Sequence, residues 1–517
     1  MAFAAALAGT LLSAVLFGLS FPPVGIRPLA FVCLVPLLLA LRRGGLGAAV
    51  FLAWLWAVLS ACSIALVFPA SIAEYYAQPL WVGWACAIAI FSAMASVYYM
   101  AFTPVYRRLA KRSHPALPLL VACAWVGIEL ARGRLFTGTQ FLVGNPWGLL
   151  GYTQAGPGAM AQVASITGVY GLSFAVAAVN AALAELIVAL CDPRRSIRSG
   201  ALGLALAALP AAAIFSYGTA VLRAAPPASS GEGFVRVAVI QGDVASGRSG
   251  RWEDYGENLD LYLDLTQQAF HEGRPEIVIW PESSLSFFLE AEPSYLRAIG
   301  RTLEAGGAEL LVGGPSGDAD GEAPHYNSVF LLSETGELRG RYDKQVLVPF
   351  SEYFPFRSQA VMRRRVEGAR VFVHGRPRPP LATRAGSAGI LVCNEAMLPE
   401  LAAQRVREGA AYLLSPSNDS WIAGENFAEH MFQIISLRAV EQRRYLVRAS
   451  TSGPSAVIDP WGRVLVRSRA FERQIILGGI RPLETRSLYA QWGDLFGLLC
   501  LVGAGIGIAW PRRHNRV

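Results

Sequence analysis

The sequence predicts two structural classes in one chain: a polytopic α-helical membrane bundle of about eight transmembrane helices, and one extramembrane α/β domain built as a layered sandwich. Three observations predict this. The 517-residue chain is 53% hydrophobic and only 16% charged, against about 25% charged for ordinary soluble domains. The deficit is uneven, because residues 1–222 and 493–510 hold long apolar runs while 232–487 carries regularly spaced charge. Short basic clusters alternate between the apolar runs, as membrane topology requires. The expected units are an N-terminal bundle of seven helices over 1–222, an α/β domain over 232–487 and a last transmembrane helix over 493–510.

A helix crosses the hydrocarbon with about 20 apolar residues. Runs of this kind lie near 3–20, 28–41, 46–68, 80–104, 115–131, 159–190 and 200–222, with an eighth near 493–510; the second and fifth are short. The first lacks a basic leader and a small-residue cleavage site, so it reads as a retained helix. Arg42 and Arg43, then Arg107, Arg108, Lys111 and Arg112, then Arg194, Arg195 and Arg198, and last Arg512, Arg513 and Arg516 fall in alternate connections. The opposite connections hold Arg27, Arg132 and Arg134. Twelve basic residues against three put both termini in the cytoplasm and the α/β domain outside. The net charge of +8 therefore encodes topology, and no zinc-finger or RNA-binding motif accompanies it, which argues against nucleic acid. Glu129, Glu185 and Asp494 are too few for a transport pathway; helix-end or interhelical polar contacts are the expectation.

From Phe234 the pattern alternates short β-rich runs with amphipathic helices. Strands are expected at Phe234–Ile240, Glu276–Trp280 and Glu309–Val312, and a hairpin at Ser328–Leu332 with Leu338–Tyr342. Further strands are expected at Gly389–Val392, Tyr412–Leu414, Tyr445–Ala449, Ser455–Ile458, Arg463–Arg467 and Gln474–Gly478. Helices are expected at Tyr255–His271, Ser294–Glu304, Pro399–Glu408 and Asn426–Gln442. Such alternation calls for a layered α/β sandwich. The Arg- and Pro-rich stretch Phe354–Pro380 fits neither period; it reads as a mobile arm meeting anionic headgroups, or equally as a solvated loop.

Of seven cysteines, Cys393 alone belongs to the α/β domain, so no disulfide forms within it. A lone thiol in an oxidising compartment points to chemistry or to an inert core position. Cys393 ends the apolar run Ile390-Leu391-Val392 before a turn and a helix, a setting that favours the thiolate. A nucleophilic cysteine needs a base and an oxyanion stabiliser. The domain's histidines are His271, His325, His374 and His430, of which only His430 neighbours a motif-like run, Ser417-Asn418-Asp419-Ser420-Trp421. The alternative is a carboxylate with a lysine. Glu282 follows a buried strand in Ile279-Trp280-Pro281-Glu282, at a sheet edge where sites gather, and Lys344 follows the hairpin in Arg341-Tyr342-Asp343-Lys344.

Trp280-Pro281-Glu282, Tyr342-Asp343-Lys344 and Leu391-Val392-Cys393 resemble, in order and context, the Glu–Lys–Cys triad of the nitrilase (carbon–nitrogen hydrolase) superfamily. Leu347-Val348-Pro349-Phe350-Ser351-Glu352-Tyr353-Phe354-Pro355 resembles the segment after the lysine in its apolipoprotein N-acyltransferase branch. So do Ser417–Trp421, Ala456-Val457-Ile458-Asp459-Pro460-Trp461-Gly462-Arg463 and Leu488-Tyr489-Ala490. In the membrane region Leu19-Ser20-Phe21-Pro22-Pro23, Asn145-Pro146-Trp147 and Gly151-Tyr152-Thr153-Gln154 are similar too.

The resemblance implies a four-layer αββα nitrilase-like sandwich and a bacterial inner-membrane enzyme with a periplasmic catalytic domain. It implies acyl exchange through a cysteine thioester, from a phospholipid donor to the α-amine of a diacylated apolipoprotein acceptor. In it Cys393 is the nucleophile, Glu282 the base, Lys344 the oxyanion stabiliser and Glu352 a carboxylate that orients them, while Trp252, Glu395 and Asn394 lie near the pocket. No cofactor is implied, and no paired His or Cys spacing suggests a metal. The chain departs from the family at Asn394, where tyrosine is usual, at Ser452-Gly453, where Asn-Gly is common, and at Asp243, which replaces a frequent asparagine. These changes leave a paralogue with another acyl acceptor open. A membrane-tethered amidase using water, and a transporter or receptor with a degenerate nitrilase fold, are the other readings.

Overall fold

The computed structural model describes residues 2–135, 144–227, 233–244, 257–317, 324–353, 372–420 and 424–509. Helices occupy each region where an apolar run predicts one: Ala2–Leu19, Val35–Leu41, Leu46–Ile64, Leu80–Phe91 continuing into Val97–Leu109, Leu117–Arg134, Val169–Cys191, Ile197–Ala224 and Leu495–Ala509. Among the described residues, four stretches are long and apolar enough to cross a membrane: Leu46–Ile64, Leu80–Leu109, Val169–Cys191 and Ile197–Ala224. Two expected spans are divided. The run 46–68 stops at Ile64, and a separate helix, Phe68–Tyr75, follows with Pro69 in its first turn. The run 159–190 breaks at Gly168, whose φ of +62° and the Tyr489 ring packed against it exclude a side chain. The long helix therefore begins at Val169.

The bundle interior is aromatic: Trp56, Tyr99 and Trp125 pack with ring centroids 5.0–5.7 Å apart. Helix Leu495–Ala509 turns its small residues Gly497, Cys500, Ala504 and Gly507 inward. They let its backbone approach Leu120 and Leu130, the packing that suits helices in lipid. Its opposite face leaves Leu498, Leu499 and Val502 exposed. The basic connections meet at one end of the bundle. Arg42 Nε donates to the Tyr106 hydroxyl (2.7 Å), Arg107 to Gly44 O (2.8 Å), Arg108 to Ile508 O (3.1 Å) and Arg195 to Ala110 O (2.9 Å). The three acids make such contacts: Glu185 pairs with Arg42, Asp494 with Arg134 at 2.6 Å, and Glu129 bonds Ser173 of the helix Val169–Cys191. Glu129 also accepts from Trp125 Nε1 on its own helix and from the backbone N–H of Leu150, which opens the 3₁₀ helix Leu150–Gln154.

The α/β domain pairs two six-stranded sheets. The first runs β12-β1-β2-β3-β4-β5, with β1 Val235–Gln241, β2 Ile277–Ile279, β3 Glu309–Ser316, β4 Tyr326–Leu332, β5 Leu338–Asp343 and β12 Gln474–Ile480. The second runs β11-β10-β9-β8-β7-β6, with β6 Leu381–Thr383, β7 Gly386–Ile390, β8 Tyr412–Ser417, β9 Leu446–Ser450, β10 Ala456–Ile458 and β11 Val464–Arg467. Each sheet has a parallel centre, β1-β2-β3 and β7-β8-β9, with antiparallel flanks. Strand alternation builds the layers. Val237 and Val239 of β1 join Ile390, Leu414 and Val447 between the sheets. Ala238 and Ile240 face helices Glu257–Gly273 and Pro293–Gly306. Helices Pro399–Arg407 and Glu425–Gln442 cover the outer face of the second sheet. The order is αββα. Strand β6 was not expected: it is three residues long and directly follows the Arg- and Pro-rich stretch, of which 354–371 lie outside the described residues.

The domain sits on the end of the bundle away from the basic connections. Arg438 donates to the Tyr152 hydroxyl (3.0 Å) and pairs with Glu441 (2.9 Å). Glu441 in turn accepts the Val169 N–H (3.2 Å). Gln162 donates to Trp461 O (2.9 Å). The membrane-region motifs thus form the seat of the α/β domain.

Candidate active site

The two sheets deliver the polar residues to one edge. Glu282 follows β2 by three residues, held where β3 passes closest: a Cβ on Gly313 would lie 2.4 Å from Pro281 O and 2.7 Å from Glu282 Cα. Lys344 follows β5 and lies two residues past Tyr342, which packs between the sheets. Its ammonium is 3.2 Å from Glu282 Oε1 and 2.9 Å from Glu352 Oε2. Asn327 Nδ2 donates to Oε1 of both carboxylates, at 2.7 Å each. The Asn418 N–H donates to Glu282 Oε2 (2.8 Å), and the Val348 N–H to Glu352 Oε2 (2.8 Å). All four side chains, Glu282, Asn327, Lys344 and Glu352, are buried.

Cys393 ends the apolar run after β7 with φ +51°, a left-handed conformation that costs a β-carbon residue about 1–3 kcal/mol. The expected turn is a 3₁₀ turn of five residues, Cys393–Met397, and the expected helix follows it at Pro399–Arg407. Burial pushes the thiol well above its ordinary pKa; the Glu282 carboxylate adds to this and the Lys344 ammonium opposes it. Cys393 therefore rests as a thiol, and the expected helix-stabilised thiolate is corrected: one short turn does not outweigh desolvation. Burial also raises the Glu282 carboxyl; Lys344 works against the shift and Glu352 with it. For Lys344, burial alone would lower the pKa, but Glu282 and Glu352 outweigh it and keep the ammonium charged. A raised carboxylate beside a protonated thiol and a fixed cation can accept a proton and stabilise a developing oxyanion.

Glu395 is brought to the site as a clip. Its carboxylate accepts the N–H groups of Val392 (2.8 Å), Gln345 (2.7 Å) and Val346 (3.0 Å) and the Tyr342 hydroxyl (3.0 Å). It thereby ties the cysteine turn to the lysine loop. Asn394 Nδ2 donates to Val346 O (3.1 Å) across the same seam. Trp252 lies outside the described residues. His430 is excluded as a base, because it is fully buried against Phe21 and Trp147, and burial lowers its pKa to about 3.

Sequence reasoning missed Asn327. It shares a strand face with Val329 and Leu331, which pack between the sheets, so a polar residue in step with an apolar inner face was the available signal. Two departures from the family meet here. Asp243 adopts φ +48°, which Asp and Asn tolerate best among side-chain residues, and its N–H donates to Thr451 O (2.9 Å), beside Ser452. Gly453 is required by closeness, since a Cβ there would sit 1.9 Å from Asp419 Oδ2.

Residues 236–490 match the carbon-nitrogen hydrolase family model, and residues 13–182 match the apolipoprotein N-acyltransferase N-terminal domain. The chain is 33% identical to the apolipoprotein N-acyltransferase of Geobacter metallireducens over 98% of its own length and 95% of the relative's. The chain belongs to the apolipoprotein N-acyltransferase family. A second member, from Azotobacter vinelandii, is 31% identical over 96% of this chain and 93% of its own. Among solved structures, a carbon-nitrogen hydrolase from Helicobacter pylori G27 aligns with a TM-score of 0.40 and 17% identity, covering 51% of this chain and 94% of that one. Membership in the family makes the chain an acyltransferase and a membrane protein, with a nitrilase-like domain carrying the buried cluster.

Proposed function

We propose that Cys393, Glu282 and Lys344 carry the family's acyl transfer in two half-reactions. Glu282 takes the Cys393 thiol proton as the sulfur attacks the ester carbonyl of a phospholipid. Lys344 holds the oxyanion. The C–O bond breaks, the departing alkoxide takes the proton from Glu282, and a lysophospholipid leaves a thioester on Cys393. The α-amine of a diacylglyceryl-cysteine at a lipoprotein N-terminus then attacks the thioester. Its proton passes through Glu282, and the C–S bond breaks to give an amide and the thiol. An α-amine has a pKa of about 8, so a useful fraction is neutral without further activation.

The observation that carries this reading is the buried Glu282–Lys344–Glu352 cluster, whose charges also act on Cys393. In this reading Glu352 and Asn327 position the acid and the ammonium, Glu395 and Asn394 position the cysteine turn, and Trp252 contacts substrate. The division into 1–222, 232–487 and 493–510, with eight spans, both termini cytoplasmic and the catalytic domain periplasmic, belongs to the same reading. It is supported by the clustering of the basic connections at the end of the bundle away from the α/β domain.

Mass spectrometry of the purified protein after incubation with phospholipid tests the mechanism. An acyl adduct is expected on Cys393, released by hydroxylamine and passed to a diacylated lipopeptide. An adduct on another residue, or transfer by Cys393→Ala, would sink it. Release of free fatty acid alone would favour the hydrolase reading.

A further inference from the structure

Behind Glu282 lies a second buried charge pair. The Asn418 N–H donates to Glu282 Oε2 (2.8 Å), and the next residue, Asp419, is buried. Its Oδ1 accepts from Ser417 Oγ (2.7 Å), and its Oδ2 from Ser450 Oγ (2.9 Å) and Arg448 Nη2 (2.5 Å). The Asp419 N–H donates to Thr451 Oγ1 (3.1 Å), which donates in turn to Asn418 Oδ1 (2.9 Å). Arg448 lies on β9 and is fully buried. Its Nε donates to Pro454 O (3.0 Å), so the guanidinium joins β9 and the turn after it to the segment that carries Asn418.

A buried ion pair is weak evidence for stability, because desolvation offsets much of its attraction. The placement of this pair is what matters. Asp419 is one of the charges that bear on Cys393, together with Glu282, Lys344 and Glu352. The buried acids around the cysteine turn are Glu282, Glu352, Glu395 and Asp419. Lys344 pairs with the first two and Arg448 with the last, while the Glu395 carboxylate is held by neutral donors. Without Arg448, the Asp419 charge would act on the thiol and on the proposed base unopposed. The segment that holds the Asn418 N–H on Glu282 would also lose its anchor, and that N–H favours the ionised carboxylate.

We propose that Arg448, acting through Asp419, is a positioning residue of the acyl transfer, which holds the Asn418 N–H on Glu282 and balances the charge beside Cys393. This role rests on the two-step reading above and extends it to side chains that touch no reacting atom. A strut that only stabilised the second sheet would change how much enzyme folds. It would not change the pH at which the base ionises.

The test uses the full chain in detergent micelles and reads the rate of acyl-adduct formation on Cys393 against pH, with phosphatidylglycerol as donor. Arg448→Met leaves the Asp419 carboxylate unpaired and loosens residue 418, and both changes disfavour the ionised form of Glu282. The acid limb should therefore move up by about one pH unit. Arg448→Lys restores the charge and should bring the limb at least halfway back. The position of the limb is independent of the amount of folded enzyme. A limb at or below the wild-type pH in Arg448→Met, or one displaced as far in Arg448→Lys, would overturn the proposal. If Arg448→Met forms no adduct at any pH, alkylation of its Cys393 by iodoacetamide decides. The unpaired carboxylate should slow it by about tenfold, the equivalent of about one pH unit, and a rate equal to or above that of wild type would overturn the proposal. Absence of any wild-type adduct would instead overturn the two-step reading, and the alkylation comparison would still test the charge balance.

Discussion

Asn327 and Lys344 grip the same two carboxylates from different sides: the amide reaches Glu282 and Glu352 at 2.7 Å each, the ammonium at 3.2 and 2.9 Å. The amide is neutral, so it steadies the ionised form of Glu282 without competing for its charge. Asn327→Leu removes one charged-group hydrogen bond from each acid, worth about 1.5–3 kcal/mol apiece. Adduct formation on Cys393 should fall about tenfold to a hundredfold, measured by quenched mass spectrometry. A rate within twofold of wild type would show the bridge to be dispensable.

The pH dependence follows from Glu282. Burial lifts its pKa above the ordinary carboxylate value, with Lys344 partly offsetting the shift. The proposed base must be ionised, so acylation should fail as pH drops through that raised value, earlier than an ordinary carboxylate of about 4.3 would dictate. Glu282→Gln should abolish this limb and slow acylation by about 10²–10⁴-fold. Retention of the limb in that variant would assign it to another group.

Glu395 is fully buried and ties the Cys393 turn to the loop after Lys344. Glu395→Ala leaves three backbone N–H groups and the Tyr342 hydroxyl without their acceptor. A loss of at least about 3 kcal/mol is expected from the unpaired donors, read as a lowered thermal midpoint. Glu395→Gln keeps one acceptor oxygen and should lose less.

His430 offers a second pH test, on stability. Its folded-state pKa is depressed to about 3 by burial, while an unfolded histidine titrates near about 6.5. The unfolded chain therefore binds the extra proton between these values. Stability present above about pH 6.5 should be lost as pH falls, by up to about 1.4 kcal/mol per unit. His430→Phe should flatten the thermal midpoint between pH 7 and pH 5; an equally steep fall would place the effect elsewhere.

Arg438 and Glu441 form a fully buried pair where the α/β domain meets the bundle. Arg438→Ala strands the Glu441 carboxylate and removes the bond to Tyr152, so a loss of about 3–5 kcal/mol is expected. Faster proteolysis between the domains would report it; unchanged digestion would show that the seat holds without the pair.

The helical regions and the strand alternation were legible from local signals, while Glu282, Lys344 and Cys393 were only candidates by position and were singled out by the family resemblance. Apolar run length reports the solvent a helix faces, period-two alternation reports a sheet face, and each candidate ends a buried run. Other features resisted such reading because they arise between distant segments. Gly168 breaks a span because Tyr489 packs on it from far along the chain. Strand β6 exists because β7 is there to pair with it.

By itself the sequence determined what kind of solvent each part meets, the strand periods and the chemical types at the site, since these depend on neighbouring residues. Tertiary structure alone decided the upward shift of the Cys393 thiol, the bridging role of Asn327 and the clip made by Glu395. Desolvation and hydrogen-bond partnership depend on which groups converge in space, and that convergence is set by how the two sheets and the bundle pack.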